Sequence, residues 1–376
     1  MRANPRHRSP ARPSLKFDFV TAPNPANEIC PHLILSFADH RRCARRPVPP
    51  TEVIILRELL THGDEPVSGT RIAKLLGISR VAVWMQLQKL MKQGFAFEAV
   101  PRRGYRLIRS PVTLNAALIG AHLGRQRVPR IICLEQVDST NSEAERRLAD
   151  GEPAPLVILA RAQTAGRGRR GRTWHSTANG NLYATFVFRP HLDPARLQDF
   201  TLWMGLVACA LVESFCRLQP GLKWPNDLLL GGRKAGGMLT EARLDADEVR
   251  DLVFGLGLNV NGTAADLPPE LRRTATSLAE SAGGPIDLNK FAAALISRLM
   301  RGYAEFISGT YRERFRPLWE RYDVLRDRPV TVIQGPRSVR GLAAGIDDEG
   351  SLLVQTPGGA TERFRAGEVT LGKDAV

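Results

Sequence analysis

Apolar positions along this chain change their spacing several times, and each change marks an element boundary. Up to about residue 50 they follow no period and are interrupted throughout by proline and arginine. A stretch of that kind buries too little to order itself and reads as a disordered tail over residues 1–50. From Thr51 the spacing turns helical: Val53, Ile54, Leu56, Leu59 and Leu60 form one stripe behind a Thr51 N-cap. Residues 68–76 predict a second short helix, Gly77, Ile78 and Ser79 a tight turn ending in a new cap, and residues 80–93 a third helix with Val83, Leu87 and Leu90 as its core face. Residues 95–100 and 105–108 alternate around Pro101, Arg102, Arg103 and Gly104, predicting a hairpin with arginines at its tip. Farther along, Asp138 to Glu143 caps a helix running to Leu148, and Leu156–Gln163, residues 181–188 and residues 238–241 read as strands. Near the end, Pro329–Gln334, residues 339–346, residues 351–355 and Thr361–Phe364 are short alternating strands separated by turns such as residues 347–350.

Three helices followed by a hairpin resemble a winged helix-turn-helix domain over residues 51–109. In such a domain the third helix enters the major groove and the wing tip touches phosphates, so Arg80, Gln86, Gln88, Lys89, Arg102 and Arg103 are candidate DNA contacts. The same fold also serves protein contacts. Trp84 and Met85 have two open readings: they lie on the groove side, where an aromatic reads no particular base edge, or they pack against the wing.

At 376 residues the chain exceeds one core and predicts several domains. No apolar run reaches the roughly 18 residues of a transmembrane helix, and no early segment has the charged start and apolar centre of a secretion signal. The five cysteines (30, 43, 133, 209 and 216) are scattered, which fits neither a disulfide framework nor a zinc site and points to a reducing cytoplasm. The net charge of +15 is uneven: residues 1–50 carry +6, residues 51–109 carry +5, and the remaining 267 only +4. That distribution speaks against a chain that coats a polyanion along its whole length. For the tail, a transit peptide and an overcalled translation start are both open, although its prolines oppose an amphipathic helix.

The densest chemistry lies between the strands ending at Gln163 and beginning near Leu182. Residues 166–172 hold four arginines and three glycines, followed by Thr173 and Trp174. Glycine lets backbone approach a ligand and arginine offers forked donors to phosphate or carboxylate oxygens, so the loop is built for an anion. Gly166, Gly168 and Gly171 also fit the dinucleotide fingerprint in letters. That motif needs a helix after the last glycine, and a strand follows instead.

Four constellations occur in order: Asp138-Ser139-Thr140-Asn141, the arginine loop with Gln163 before it, Lys223-Trp224-Pro225-Asn226-Asp227 with residues 232–237 after it, and residues 255–261 ending in Asn259 and Asn261. Together with the winged helix they resemble the biotin-protein ligase family, specifically its bifunctional members that also repress biotin-synthesis genes, over residues 51–372. Lipoate ligases share the broader fold but lack this arginine loop. The resemblance implies an α+β, multidomain chain: the winged helix, a class II synthetase-like mixed sheet with helices over residues 110–325, and an SH3-like β-barrel over residues 326–376. It implies the activity of a biotin–[acetyl-CoA carboxylase] ligase: biotin and Mg-ATP give biotinyl-5'-adenylate, and biotin passes to a lysine of a biotin carboxyl carrier protein. A DNA operator, a cytoplasmic location without membrane contact, and a monomer or adenylate-induced homodimer follow from the same resemblance, as does the weaker alternative of a repressor with little ligase activity.

Residue by residue, the resemblance gives biotin to Ser139, Thr140, Asn141, Gln163, Arg167, Gly168, Arg169, Trp174 and Lys234, and the adenylate to Arg169, Arg172, Asn226, Lys234, Gly237 and Asn259, with Gly257 beside it. Lys234, Arg169 and Asp227 are the implied catalytic groups, with no protein-bound metal, and Arg170 is left without a role. Asp227 orients Lys234 or assists the attacking amine, or else braces an Asx turn. Lys223 reads as structural. Residues 272–277 carry no aromatic to stack on adenine, where repressor-type relatives can have one.

Overall fold

The protein is described here by a computed structural model covering residues 49–124, 129–178 and 180–371. Most of the tail, including Cys30 and Cys43, lies outside the described residues. The N-terminal domain comprises α1 (Thr51–His62), α2 (Gly69–Leu76), α3 (Arg80–Lys92), and an antiparallel hairpin of β1 (Ala96–Val100) and β2 (Gly104–Arg109). Ser68 and Ser79 cap α2 and α3 through their hydroxyls, which accept from Arg71 N and Ala82 N. The expected Thr51 cap is displaced by one residue. Pro50, extended and without an N–H, occupies the cap position, and Thr51 is the first helical residue. Ile55, Leu56, Leu59, Ile72, Val83, Leu87, Leu90 and Phe95 form the core of this domain.

Helix α4 (Ala116–His122) belongs to two cores at once, since Leu118 and Ala121 pack with the N-terminal domain and Ile119 with the central one. The linker before it is pinned by a single buried side chain. Asn289 donates to the carbonyls of Pro111 and Thr113, and its own oxygen accepts from Asn115 N at 2.9 Å.

The central sheet has seven strands: β3 (Arg130–Val137), β4 (Leu156–Gln163), β5 (Leu182–Phe188), β6 (Pro220–Lys223), β7 (Asp227–Leu230), β8 (Arg233–Asp245) and β9 (Glu248–Leu258). Their order is β3-β4-β5-β9-β8-β7-β6, with only β3 and β4 parallel. Helix α5 (Thr140–Ala149) makes the crossover between those two strands and covers one face through Ala144 and Leu148, against Ile158, Val187 and Val253. Helices α6 (Leu197–Cys216), α7 (Leu278–Ala282), α8 (Leu288–Ser308) and α9 (Arg312–Tyr322) complete the layer, and α6 and α8 fill the opposite face. There Phe188 stacks on Tyr303 at 3.9 Å and Trp203 Nε1 donates to Gly302 O. The segment Pro194–Cys216 is long and apolar enough to cross a membrane, yet 67% of its most apolar window is buried within the fold.

Five antiparallel strands follow α9: β10 (Pro329–Gln334), β11 (Arg337–Ile346), β12 (Leu352–Gln355), β13 (Thr361–Phe364) and β14 (Glu368–Leu371). Their order, β13-β12-β11-β10-β14, puts two consecutive strands at opposite edges. A flat sheet would separate those edges by ~19 Å at ~4.8 Å per strand. The link from Phe364 to Glu368 spans only ~14 Å when fully extended, so the sheet is curled. No hydrogen-bonded ladder joins β13 to β14 among the described residues. The expected barrel is therefore rolled but not closed.

This domain shares the central core, and its turn at Gly350 accepts a hydrogen bond from Trp224 Nε1 at 3.0 Å. Beside that turn the buried Asp199 has one carboxylate oxygen without a partner and the other 3.4 Å from the Tyr311 hydroxyl. Burial pushes its carboxyl up to about 6, with Arg196 opposing and Asp347 and Glu349 reinforcing the shift. Folded Asp199 thus keeps its proton to about pH 6, whereas the ordinary value is 3.8, so its contribution to stability falls as pH rises through that window. Asp199→Asn removes this dependence. The melting temperature of the variant is expected to match the wild type near pH 4 and exceed it above pH 6, by up to about 3 kcal/mol of stability; a gap independent of pH would contradict the account.

Candidate active site

A cleft of about 1040 Å³, including its open mouth, lies where β8 and β9 meet the loop after β4. Its floor comes from paired glycines, Gly237 on β8 opposite Gly257 on β9. A Cβ on Gly257 would lie 2.6 Å from the Trp174 indole, so only glycine leaves room for that ring to lie on the strand. The wall is the arginine loop. It doubles back as a hairpin, with Trp174 N bonded to Gly166 O at 2.8 Å, Gly168 N to Arg172 O at 2.7 Å, and one tight turn at Arg169–Gly171 between them. No helix opens after its last glycine, and the next regular element is β5.

Side chains from motifs far apart in sequence converge here. Gln163, the last residue of β4, accepts from both Thr140 N (2.8 Å) and Thr140 Oγ1 (3.1 Å), while its amide donates to Ser176 Oγ. It takes the place of the side-chain cap expected from Ser139 or Thr140, because a neighbouring strand presents an acceptor directly at the start of α5. Ser139, Thr140 and Asn141 are buried at the closed end. Asn141 accepts from Thr185 Oγ1 at 2.6 Å and donates to Glu241, which also holds Arg167 at 2.7 Å. Arg167 is shared with Glu145 at 3.0 Å.

The part of the cleft around Lys234, Arg169, Arg172 and Lys223 is cationic. Lys234 Nζ is 2.7 Å from Asp227 Oδ1 and 5.3 Å from the centre of the Trp174 ring. Asp227 opens β7, as the turn before it predicts, and its carboxylate faces Lys234. Arg169 donates to Asn226 Oδ1 at 3.1 Å, and Asn226 is itself fixed through Met238 O and Met238 N. Burial, reinforced by Arg170, pulls the Arg169 guanidinium below its ordinary value. Burial likewise lowers Lys223, which lines the cleft. Arg172 pairs with Glu368 of β14, and that pairing holds the Glu368 carboxyl below the usual range. Arg170 is exposed.

Some expected site residues sit elsewhere. Asn259 is buried, joining Ala235 O and Thr276 O and lying outside the residues that line the cleft. Residues 274–276 pair along the edge of Lys234. In the N-terminal domain Arg80, Lys89, Arg102 and Arg103 are exposed and Gln88 is half-buried, while Gln86 turns its oxygen into an enclosed space without a partner. Glu145, Glu241 and Glu368 carry no local sequence signal. They become visible only once strand register and the docking of the C-terminal domain are known. Among the described residues no group of three or more His, Cys, Asp or Glu side chains is placed to hold a metal.

Comparison with known proteins follows the same division. The Biotin/lipoate A/B protein ligase family matches residues 133–259, an HTH domain residues 55–106, and the Biotin protein ligase C terminal domain residues 327–372. The chain is 33% identical to the "Bifunctional ligase/repressor BirA" of Bacillus spizizenii over 82% of its own length and 95% of that protein. It is 32% identical to the protein of the same name from Escherichia coli, over 83% of its own length and 95% of that protein. Among solved structures it is similar to a biotin protein ligase from Aquifex aeolicus in complex with biotin and ATP, with a TM-score of 0.57, 28% identity, and coverage of 65% of this chain and 99% of that one.

Proposed function

Because this chain belongs to the biotin-protein ligase family, in its bifunctional ligase/repressor branch, we propose that it joins biotin to the lysine of a biotin carboxyl carrier protein through biotinyl-5'-adenylate and represses transcription through its N-terminal domain. The observation that carries the ligase reading is the loop itself, which brings Arg169, Arg172 and Trp174 over a glycine floor beside Lys234. An anion and an apolar body are accommodated side by side.

In the first step a carboxylate oxygen of biotin attacks the α-phosphorus of ATP and the bond to pyrophosphate breaks. Both reactants are anions. Arg169, Arg172 and Lys234 offset the charge that builds at phosphorus. Magnesium carried by the nucleotide would neutralise part of the phosphate charge, and Asp227 and Glu368 are the carboxylates lining the same cleft that would face it. The neutral ureido ring suits the closed end, where Ser139, Thr140 and Gln163 offer directional donors and acceptors. Trp174 covers the thioether and chain, keeping water from the mixed anhydride. In the second step the carrier amine attacks the acyl carbon and AMP leaves. Asp227 orients Lys234 or takes the proton that the amine loses.

The curl of the C-terminal sheet supports reading it as an SH3-like barrel, with Glu368 reaching the cleft. Exposed Arg80, Lys89, Arg102 and Arg103 support operator binding, with a homodimer forming on the adenylate, in the cytoplasm. Incubation with labelled biotin, ATP and a carrier domain tests the ligase reading. Label on the carrier's single acceptor lysine is expected, and transfer of lipoate in preference to biotin would point to a lipoate-type enzyme instead.

Glu368→Gln probes the link to the C-terminal domain. ATP phosphates and Glu368 compete for Arg172, so the variant is expected to lower KM for ATP about two- to fivefold, the worth of an exposed ion pair, with biotin affinity unchanged. A raised KM for ATP would show that Glu368 orients Arg172 for the nucleotide.

A further inference from the structure

Helix α3 carries an apolar strip on its solvent side that neither core nor wing absorbs. Val81 is 69% exposed, Trp84 52% and Met85 53%. Spaced three and four apart, they share one helix face, opposite the buried Val83, Leu87 and Leu90. Of the two placements open to Trp84, the exposed one is found. Three large apolar side chains in a row on a solvated face indicate a surface that is covered at some stage.

Charge says what covers it. Arg80, Lys89 and Lys92 flank the strip on α3, which contains no acidic residue, and Arg102 and Arg103 stand on the adjacent wing tip. Of these, Arg103 is 3.7 Å from Glu65. A cationic rim around an apolar centre complements a polyanion with apolar groups at the bottom of a groove. Duplex DNA has one such group in its major groove, the C5 methyl of thymine.

We infer that Val81, Trp84 and Met85 read thymine methyls in the operator, so that this repressor's specificity is carried by apolar contacts on α3 more than by hydrogen bonds to base edges. Arg80, Lys89, Arg102 and Arg103 set the register on phosphates. Gln88, half-buried at the end of the strip, is the one amide on that face able to add a base-edge contact. This rests on the repressor reading of the N-terminal domain.

The test uses the full-length protein with biotin and ATP. Duplexes are enriched from a randomised library, and the enriched site is resynthesised with deoxyuridine replacing thymidine one position at a time, which deletes only the methyl. Affinity is expected to fall about fourfold per contacted methyl, with the salt dependence unchanged because the phosphate contacts persist. Trp84→Gln is expected to lose the deoxyuridine sensitivity at one position per half-site while binding the substituted duplex as the wild type does. Undiminished affinity for fully deoxyuridine-substituted duplex overturns the inference and leaves the repressor reading intact. Failure to enrich any duplex overturns the repressor reading and the inference with it. A weakened self-association of Trp84→Gln without DNA, measured by sedimentation, would instead assign the strip to a second copy of the chain.

Discussion

Replacing Lys234 with alanine is expected to slow formation of the adenylate about a hundredfold, the usual cost of one preorganised donor to a charged transition state, while the melting temperature stays within a degree or two. The ammonium is the cation placed between the aromatic lid and the carboxylate at the head of β7, 5.3 Å from the Trp174 ring and 2.7 Å from Asp227. Its side chain remains 38% exposed, so its loss costs the fold little. The loss is greater for chemistry than for binding, because the truncated site keeps Asp227 as an unopposed negative charge facing the incoming phosphates. Asp227→Asn added to Lys234→Ala separates two roles. If Asp227 acts by orienting Lys234, the second substitution costs nothing further in biotin-dependent pyrophosphate exchange. If it assists the amine, transfer to the carrier falls again while exchange does not.

Gly166→Ala is expected to weaken biotin binding roughly ten- to hundredfold, as overpacking of 1–3 kcal/mol does, without a comparable loss of fold stability. Its backbone has ordinary geometry, so space and not conformation is the constraint. A Cβ would lie 2.4 Å from the Trp174 carbonyl and 2.7 Å from Ser176 Oγ, and the first of these is backbone that cannot turn aside. The hairpin must open at its base, breaking the Trp174–Gly166 and Gln163–Ser176 hydrogen bonds together. Calorimetric titration with biotin and a thermal melt of the same sample check both halves. A variant that binds biotin as the wild type does would show that the closed hairpin is not required.

Which residues gather in the cleft was legible in the sequence where a residue type and its neighbours define a motif. Ser139, Gln163, Arg169, Trp174, Asn226, Asp227, Lys234 and Gly237 come from stretches up to about a hundred residues apart, and all line one cleft. What a motif cannot supply is the partner. Glu241 meets Asn141 and Arg167 only because β8 and β9 pair in a particular register, and Glu368 meets Arg172 only because a separate domain docks beside Trp224. Asn259 looks like a ligand group in sequence and is spent on two neighbouring chain segments instead. Periodicity read the elements that have one wet face, such as α1 and the hairpin. It was silent on α6, whose residues are buried on nearly all sides and so show no stripe. It also missed β14, four residues long and unremarkable in composition.

On the proposed function, the arginine loop and the glycine floor together form and retain biotinyl-5'-adenylate. Mixing the full-length protein with biotin and ATP labelled at the α-phosphate, without any carrier protein, tests it most directly. One equivalent of labelled biotinyl-adenylate per chain is expected, retained through gel filtration and discharged when a carrier lysine is added. Hydrolysis of ATP without biotin, or no nucleotide label on the protein in its presence, would contradict it.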